Sequence, residues 1–374
     1  MRITFVVSSL TKGGAERIVV SLANGLNDLG HRVSVVTKTV EGKPDYRLAS
    51  GIIHREITDV IHGVGPLQRL RGVRERGKIL RSTLLETEPD LVVSFTTELN
   101  VRVLGALLRS DDVPVIVSER NNPRVAETKK KWRLLRRLRY RRAACLVSLS
   151  HGVDSCFSWL PDGKRAVIHN PLPSNTAELL ESQPELTLDP SFFWFVATGR
   201  LVQQKGFDLL LRVFAEVHRK ASDTRLLILG EGPERESLEN QCNELGIRDA
   251  VLMPGRIHNP FAVYRQAHCF VLSSRYEGFG NVLIESMAAG LPPVSFDCQY
   301  GPSEIINCPG DNGILVSPED IESFIFELLS LYSDNDRRKR IAGAAQERSR
   351  DFQAGGILSE WQTLLQRVDT STGS

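Results

Sequence analysis

The stretch Tyr276-Glu-Gly-Phe-Gly-Asn-Val-Leu-Ile-Glu-Ser-Met-Ala-Ala-Gly290 reads as a glycine-rich turn running into a helix. Upstream, His268 to Ser274 is an apolar run of strand length; downstream, Asn281 to Ala289 is closed by Gly290 and the Pro292-Pro293 stop. The order is strand, turn, helix. Gly278 and Gly280 let backbone N–H groups approach a ligand, and the following helix points its positive end at the same spot. Glu277 lies in the turn and Glu285 about one helical turn inside, so both carboxylates can face one cavity. An anion cradle flanked by two carboxylates suits a ligand with phosphate at one end and hydroxyls at the other. A nucleotide sugar has that shape. Glycine turns before helices are also common in α/β folds, so the rest of the chain has to decide.

Length bounds the answer. A chain of 374 residues holds about two domains, and 41% hydrophobic with 25% charged residues is ordinary for a globular protein. No run of 18 apolar residues occurs, and Met1 to Val7 enters a strand directly without a signal-peptide layout. The six cysteines, Cys145, Cys156, Cys242, Cys269, Cys298 and Cys308, have no paired short spacing, which argues for reduced thiols in the cytoplasm. The net charge of +2 conceals an asymmetry: residues 1–175 carry 29 Lys+Arg against 17 Asp+Glu, the remainder 18 against 28. A basic first half is expected to meet something anionic.

Along the chain, strands and helices alternate. A strand at Ile3 to Ser9 leads through a loop containing Gly13 and Gly14 to a helix over Ala15–Leu29 and a strand over His31–Thr37. The Gly13-Gly14 loop falls where open α/β sheets bind ligands, although a close strand–helix turn would also need glycine. A basic helix (66–87), a strand (Pro89 to Phe95), a helix (100–109) and a strand (Val113 to Ser118) follow. The last strand ends in Glu119, Arg120 and Asn121, candidates for a second substrate as well as for a plain polar loop. Strands at Ala144–Ser150 and Arg165–His169 complete this half.

Between them, residues 129–142 carry nine basic side chains. On a helix Trp132, Leu135 and Leu138 share a face, with Leu134 beside it. That pattern reads as binding to an anionic membrane surface, with a solvated domain helix as the plain alternative. No nucleic-acid module accompanies it, and no nucleic acid is expected.

Residues 172–191 are proline-rich and read as a linker. A second α/β series starts at Phe193, so domains at 1–171 and 192–355 are expected, with a C-terminal helix and polar tail at 356–374. The fold class is α/β, two tandem Rossmann-like doubly wound domains with the active site in the cleft between them. Arg200 and Lys205 follow the strand at Phe193–Thr198, where an arginine fork and a lysine point charge grip a diphosphate. Cations fixed there stabilise the departing diphosphate in the transition state. No Asp-x-Asp sits at a strand end, and no metal or other cofactor is expected.

Gly13-Gly-Ala-Glu16, Gly199-Arg-Leu with Lys205-Gly206, Gly230-Glu-Gly-Pro233, Glu277 and Glu285 with seven residues between them, and Gly301-Pro-Ser-Glu304 together resemble glycosyltransferase family 4. The resemblance spans nearly the whole chain and is nearest to the branch that builds bacterial surface polysaccharides and lipid-linked oligosaccharides. It implies the GT-B fold and retention of the donor's anomeric configuration, by front-face attack without an enzymic nucleophile. Carried over residue by residue, Arg200 and Lys205 bind the donor diphosphate, Glu277 the sugar hydroxyls and Glu285 the ribose. Backbone around Phe279, Gly280 and Asn281 meets sugar and phosphate, and Arg256 falls in the base-contact segment. Many members carry a histidine after the strand that here reads Val92 to Thr97; this chain has none there, so acceptor-side roles do not carry over.

The resulting expectation is a retaining, metal-independent glycosyltransferase. It takes a nucleotide diphosphate-sugar, a UDP-sugar first, to a lipid-linked or polysaccharide acceptor at the inner face of the cytoplasmic membrane. A nucleotide-sugar epimerase, a phosphorylase or a non-catalytic nucleotide-sugar-binding protein of the same fold are the alternatives.

Overall fold

The computed structural model describes the chain except residues 12–13, 40–45, 58–65, 109–112, 121, 125–129 and 373–374, and except the side chains of 14–15, 66–71 and 371–372. It divides into two compact units, Met1–Pro171 with Ala354–Ser374, and Leu172–Gln353.

The first unit runs β1 (Arg2–Val6), α1 (Gly14–Asp28), β2 (Arg32–Lys38), β3 (Ile53–Ile57), α2 (Pro66–Leu85), β4 (Leu91–Phe95), α3 (Thr97–Ala106), β5 (Val115–Glu119), α4 (Lys130–Arg139), β6 (Cys145–Ser148), α5 (His151–Ser155) and β7 (Arg165–Val167). All seven strands are parallel, in the order β3-β2-β1-β4-β5-β6-β7. Strand order reverses between β1 and β4. Near-continuous apolar strands such as Leu91–Phe95, buried along their length, are what a parallel sheet covered on both faces requires.

The second unit runs α6 (Thr176–Glu181), β8 (Phe193–Thr198), α7 (Phe207–Lys220), β9 (Thr224–Leu229), α8 (Arg235–Glu244), β10 (Val251–Gly255), α9 (Pro260–Tyr264), β11 (Cys269–Leu272), α10 (Asn281–Ala288), β12 (Pro293–Phe296), α11 (Pro302–Ile305), β13 (Ile314–Val316), α12 (Ile321–Ser333) and α13 (Asn335–Ser349). Its parallel sheet has the order β10-β9-β8-β11-β12-β13, reversing between β8 and β11. Helix α7 shows how sequence makes packing. Phe207, Leu210, Leu211, Phe214 and Val217 recur at helical spacing and are all buried against the sheet.

Two sequence expectations are corrected and one strand is added. The stretch 172–191 is not a free linker: it contains α6, and Asn259, Arg265 and Gln266 hydrogen-bond it to the second unit at Leu179, Leu180 and Leu188. Prolines there interrupt regular structure without freeing the chain. The expected C-terminal helix is present as α14 (Ala354–Thr372), but it belongs to the first unit and packs in that unit's core. Ile357, Trp361, Leu364, Leu365 and Val368 are buried there, with the Trp361 ring 6.5 Å from Phe95. Strand β3 is absent from the sequence reading: Ile53-His-Arg-Glu-Ile57 is a polar edge strand paired, among the described residues, only with β2.

Candidate functional site

In the second unit the loops after β8 and β11 are neighbours because their strands are adjacent at the reversal of strand order, where open α/β sheets bind ligands. Gly206, in the left-handed region at φ 62°, allows the close approach: a Cβ there would lie 2.1 Å from Ser273 O. Arg275 locks the two loops together, donating to Asp208 through Nη1 and Nη2, both at 2.7 Å, and to Gln203 O at 2.9 Å. Ser273 Oγ donates to Lys205 O at 2.9 Å, and Gln204 Nε2 to Tyr276 O at 3.0 Å. The guanidinium holds the Asp208 carboxyl below its usual range, and the carboxylate raises Arg275 in turn.

Within this clasp Lys205 meets Glu277. Nζ donates to Oε1 at 2.5 Å, and Ser274 Oγ donates to the same oxygen at 2.6 Å. Glu277 is 6% exposed, and the lysine stem runs across Gly199, with side-chain carbons 3.1 Å from where a Cβ would stand. Oε2 takes no hydrogen bond among the described residues. A carboxylate buried beside an ammonium has its charge compensated within the protein.

Helix α10 opens on Gly280 at φ 103°, an N-cap residue that has no side chain to cap with. Its positive end therefore stands at the same corner as Lys205 and Glu277. Asn281 is its first residue, and Glu285, one turn on, is 3% exposed. The Phe279 ring is buried and packs edge-on to Phe352, 5.6 Å between centroids. Gly301 fits against Phe279 with no room for a side chain, since a Cβ would meet Phe279 O at 2.1 Å. Arg200, just after β8, is exposed and forms no ion pair among the described residues; Arg256, just after β10, is also exposed.

The structure thus brings Lys205, Glu277 and the α10 start together, with Arg200 on the same β8 loop. Ser274, Arg275 and Asp208 were not singled out from sequence. Their only signal was position, each within three residues of Glu277 or Lys205.

The first unit's candidates fare differently. Gly13 and Asn121 lie outside the described residues; Gly14 opens α1. Glu119 ends β5 and is turned inward, 1% exposed: it accepts from Thr97 Oγ1 at 3.0 and 2.8 Å and from the Tyr140 hydroxyl. Burial raises both the Glu119 carboxyl and the Tyr140 phenol. The carboxylate is committed to internal donors rather than presented to a loop. Arg120 is buried as well, over the Phe95 ring.

Helix α4 has no buried residue, but its apolar side is divided. Trp132 and Leu135 are half-buried, whereas Leu134 and Leu138 are 64% and 60% exposed. Arg136 turns in over the Phe157 ring, and Arg139 donates to Val101 O at 2.6 Å. Lys130, Lys131, Arg133, Arg137 and Arg141 are exposed. The apolar edge expected from Trp132, Leu135 and Leu138 is replaced by the outward pair Leu134 and Leu138, because the domain takes Trp132 and Leu135. No helix among the described residues is long and apolar enough to cross a membrane.

Comparison with known proteins agrees with this architecture. Residues 12–175 match the family model Glycosyltransferase Family 4, and residues 181–348 match Glycosyl transferases group 1. The chain is 28% identical over 376 residues to the "GalNAc-alpha-(1->4)-GalNAc-alpha-(1->3)-diNAcBac-PP-undecaprenol alpha-1,4-N-acetyl-D-galactosaminyltransferase" of Campylobacter jejuni, covering 98% of this chain and 99% of that one. Among solved structures, sucrose-phosphate synthase from Thermosynechococcus elongatus superposes with a TM-score of 0.82 at 20% identity, over 99% of both chains. Anabaena HepE, in complex with UDP and glucose, gives 0.79 at 20% identity over 98% of this chain and 99% of that one.

Proposed function

Starting from a chain that belongs to the GT-B glycosyltransferases, a family 4 domain followed by a group 1 domain, we propose that it moves a sugar from a UDP-sugar to a lipid-linked or polysaccharide acceptor in surface-glycan synthesis. The observation that carries the reading is the Lys205–Glu277 pair at the reversal point of the second sheet. Lys205, Arg200 and the α10 start supply positive charge where a diphosphate departs, which stabilises the transition state more than the ground state. Glu277 Oε2 accepts from the sugar hydroxyls while Oε1 stays on Lys205. Glu285 accepts from the ribose, and Arg256 stands by the base.

These cations take the role a metal has elsewhere, so transfer proceeds in EDTA. Anomeric configuration is retained, with the leaving phosphate helping to deprotonate the acceptor and no enzymic nucleophile. HepE was crystallised with UDP and glucose, and the Campylobacter relative is named for an undecaprenol-diphosphate acceptor; both support the proposed substrates. The exposed Leu134 and Leu138 among basic side chains of α4 fit docking on an anionic membrane at its inner face.

The test is a thermal-shift and hydrolysis screen against UDP-, GDP-, ADP- and CMP-sugars in EDTA, with the product anomer read by NMR. Stabilisation by UDP-sugars, lost in Arg200→Ala, supports the reading. Stabilisation by another nucleotide class only, dependence on added metal, or an inverted product overturns the corresponding part.

A further inference from the structure

Arg120 follows β5 at the carboxyl edge of the first sheet and is 8% exposed. Its guanidinium lies 4.7 Å from the Phe95 ring centroid, and Nη1 donates to Asn170 Oδ1 at 2.5 Å. Nε and Nη2 are both buried and have no partner among the described residues. Those two atoms form one edge of the guanidinium, whose parallel N–H bonds match two oxygens of an oxyanion. Two residues on, Asn122 is 2% exposed: its Oδ1 accepts from the Arg124 N–H at 2.9 Å, while its Nδ2 is buried without an acceptor among the described residues.

A fixed buried cation without an ion pair among the described residues is costly, and so is each buried donor left without an acceptor. Burial alone pushes the Arg120 guanidinium down to about 9. The adjacent Glu119 offers no relief, since Thr97 and Tyr140 hold its carboxylate. A chain that keeps an arginine under such conditions has a use for its free edge. Nε and Nη2 present two parallel donors, and each phosphate of a diphosphate joined at both ends offers two free oxygens.

We propose that the Nε–Nη2 edge of Arg120, with Asn122 Nδ2, is an oxyanion-recognition site of the first domain that takes a phosphate group of a diphosphate-linked acceptor. This rests on the reading of the chain as a transferase to lipid-linked acceptors. It also gives a reason why acceptor recognition here does not need the histidine absent between Val92 and Thr97.

The experiment is a thermal melt of the full chain, with UDP saturating the donor site, titrated with inorganic pyrophosphate and separately with glucuronate. Wild type shows a second, saturable rise in Tm with pyrophosphate. The rise is absent in Arg120→Met and reduced in Arg120→Lys. Without pyrophosphate, Arg120→Met melts at or above wild type, because methionine fills the space and needs no counter-ion. A pyrophosphate rise that persists in Arg120→Met overturns the site, as does a melt far below wild type. Response to glucuronate alone overturns the phosphate assignment. If UDP stabilises no form of the protein, the donor reading fails by itself. The pyrophosphate arm is then read in the Arg200→Ala, Lys205→Ala background, where any remaining rise still has to disappear with Arg120→Met.

Discussion

Lys205 Nζ and Glu277 Oε1 lie 2.5 Å apart although 72 residues separate them in the chain. The pair exists because β8 and β11, distant in sequence, are neighbours at the reversal of the sheet. Each ion fixes the other, so removing one changes the site in a specific way.

Glu277→Gln keeps the shape of the side chain and the Ser274 hydrogen bond but removes the counter-ion of Lys205. The lysine is then freer to bind a diphosphate, so affinity for UDP holds or rises. Contacts to the sugar weaken in the transition state, and turnover falls about 100-fold or more, roughly 3 kcal/mol. Calorimetric binding of UDP beside steady-state kinetics reads the two effects separately. Weaker UDP binding with unchanged kcat would remove Glu277 from the sugar end of the site.

Arg275→Met opens the clasp between the two loops. The pair with Asp208 is partly exposed, its side chains 25% and 35% accessible, so the loss of stability is small, about 1 kcal/mol. Its pH dependence is the sharper readout. Asp208 sits below its ordinary range in the folded state, so its contribution is full above about pH 4 and fades as pH falls further. Urea midpoints of wild type and variant should differ by a constant amount at neutral pH and converge in acid. KM for the donor should rise, since the Lys205 loop loses its anchor. Curves that stay parallel into acid would show that the pair does not hold Asp208.

Part of this candidate site is legible in the sequence. Arg200, Lys205, Glu277 and Glu285 stand out because glycine turns, strand ends and helix starts are local patterns. The Lys205–Glu277 contact was not readable, since it depends on strand order. Arg275 and Asp208 looked like ordinary surface charges for the same reason. Strand β3 escaped because Ile53-His-Arg-Glu-Ile57 lacks the apolar run of a central strand. In α4, periodicity put Trp132, Leu135 and Leu138 on one face, but neighbouring elements decided which of them turned inward. The C-terminal helix showed its own periodicity without showing which domain it would cover.

That helix gives a stability prediction. Trp361 is 1% exposed and stands against Phe95 in the core of the first unit. Trp361→Ala should cost about 3–5 kcal/mol, and deletion of residues 354–374 should unfold the first unit. Limited proteolysis with mass spectrometry distinguishes this from global collapse: peptides from residues 1–171 should appear first. Early cleavage in residues 193–353 instead would mean that the helix supports the second unit.

The outward side of α4 tests the membrane reading. Leu134 and Leu138 are exposed four residues apart, with Arg133, Arg137 and Arg141 exposed around them. Inserting two leucines at the headgroup boundary and placing three cations near anionic lipid act together, the cations contributing about 1 kcal/mol each at low salt. Leu134→Ser with Leu138→Ser should weaken binding to phosphatidylglycerol vesicles at every ionic strength. Replacing Arg133, Arg137 and Arg141 by Gln should weaken it most at low salt and flatten its salt dependence. Arg136→Gln serves as the internal control: that side chain stacks on Phe157, 3.9 Å from Glu119, and faces the domain. Its loss should lower thermal stability while leaving vesicle co-sedimentation near wild type. If Arg136→Gln releases the folded protein from vesicles and the outward triple variant does not, the lipid-facing side of α4 has been assigned the wrong way round.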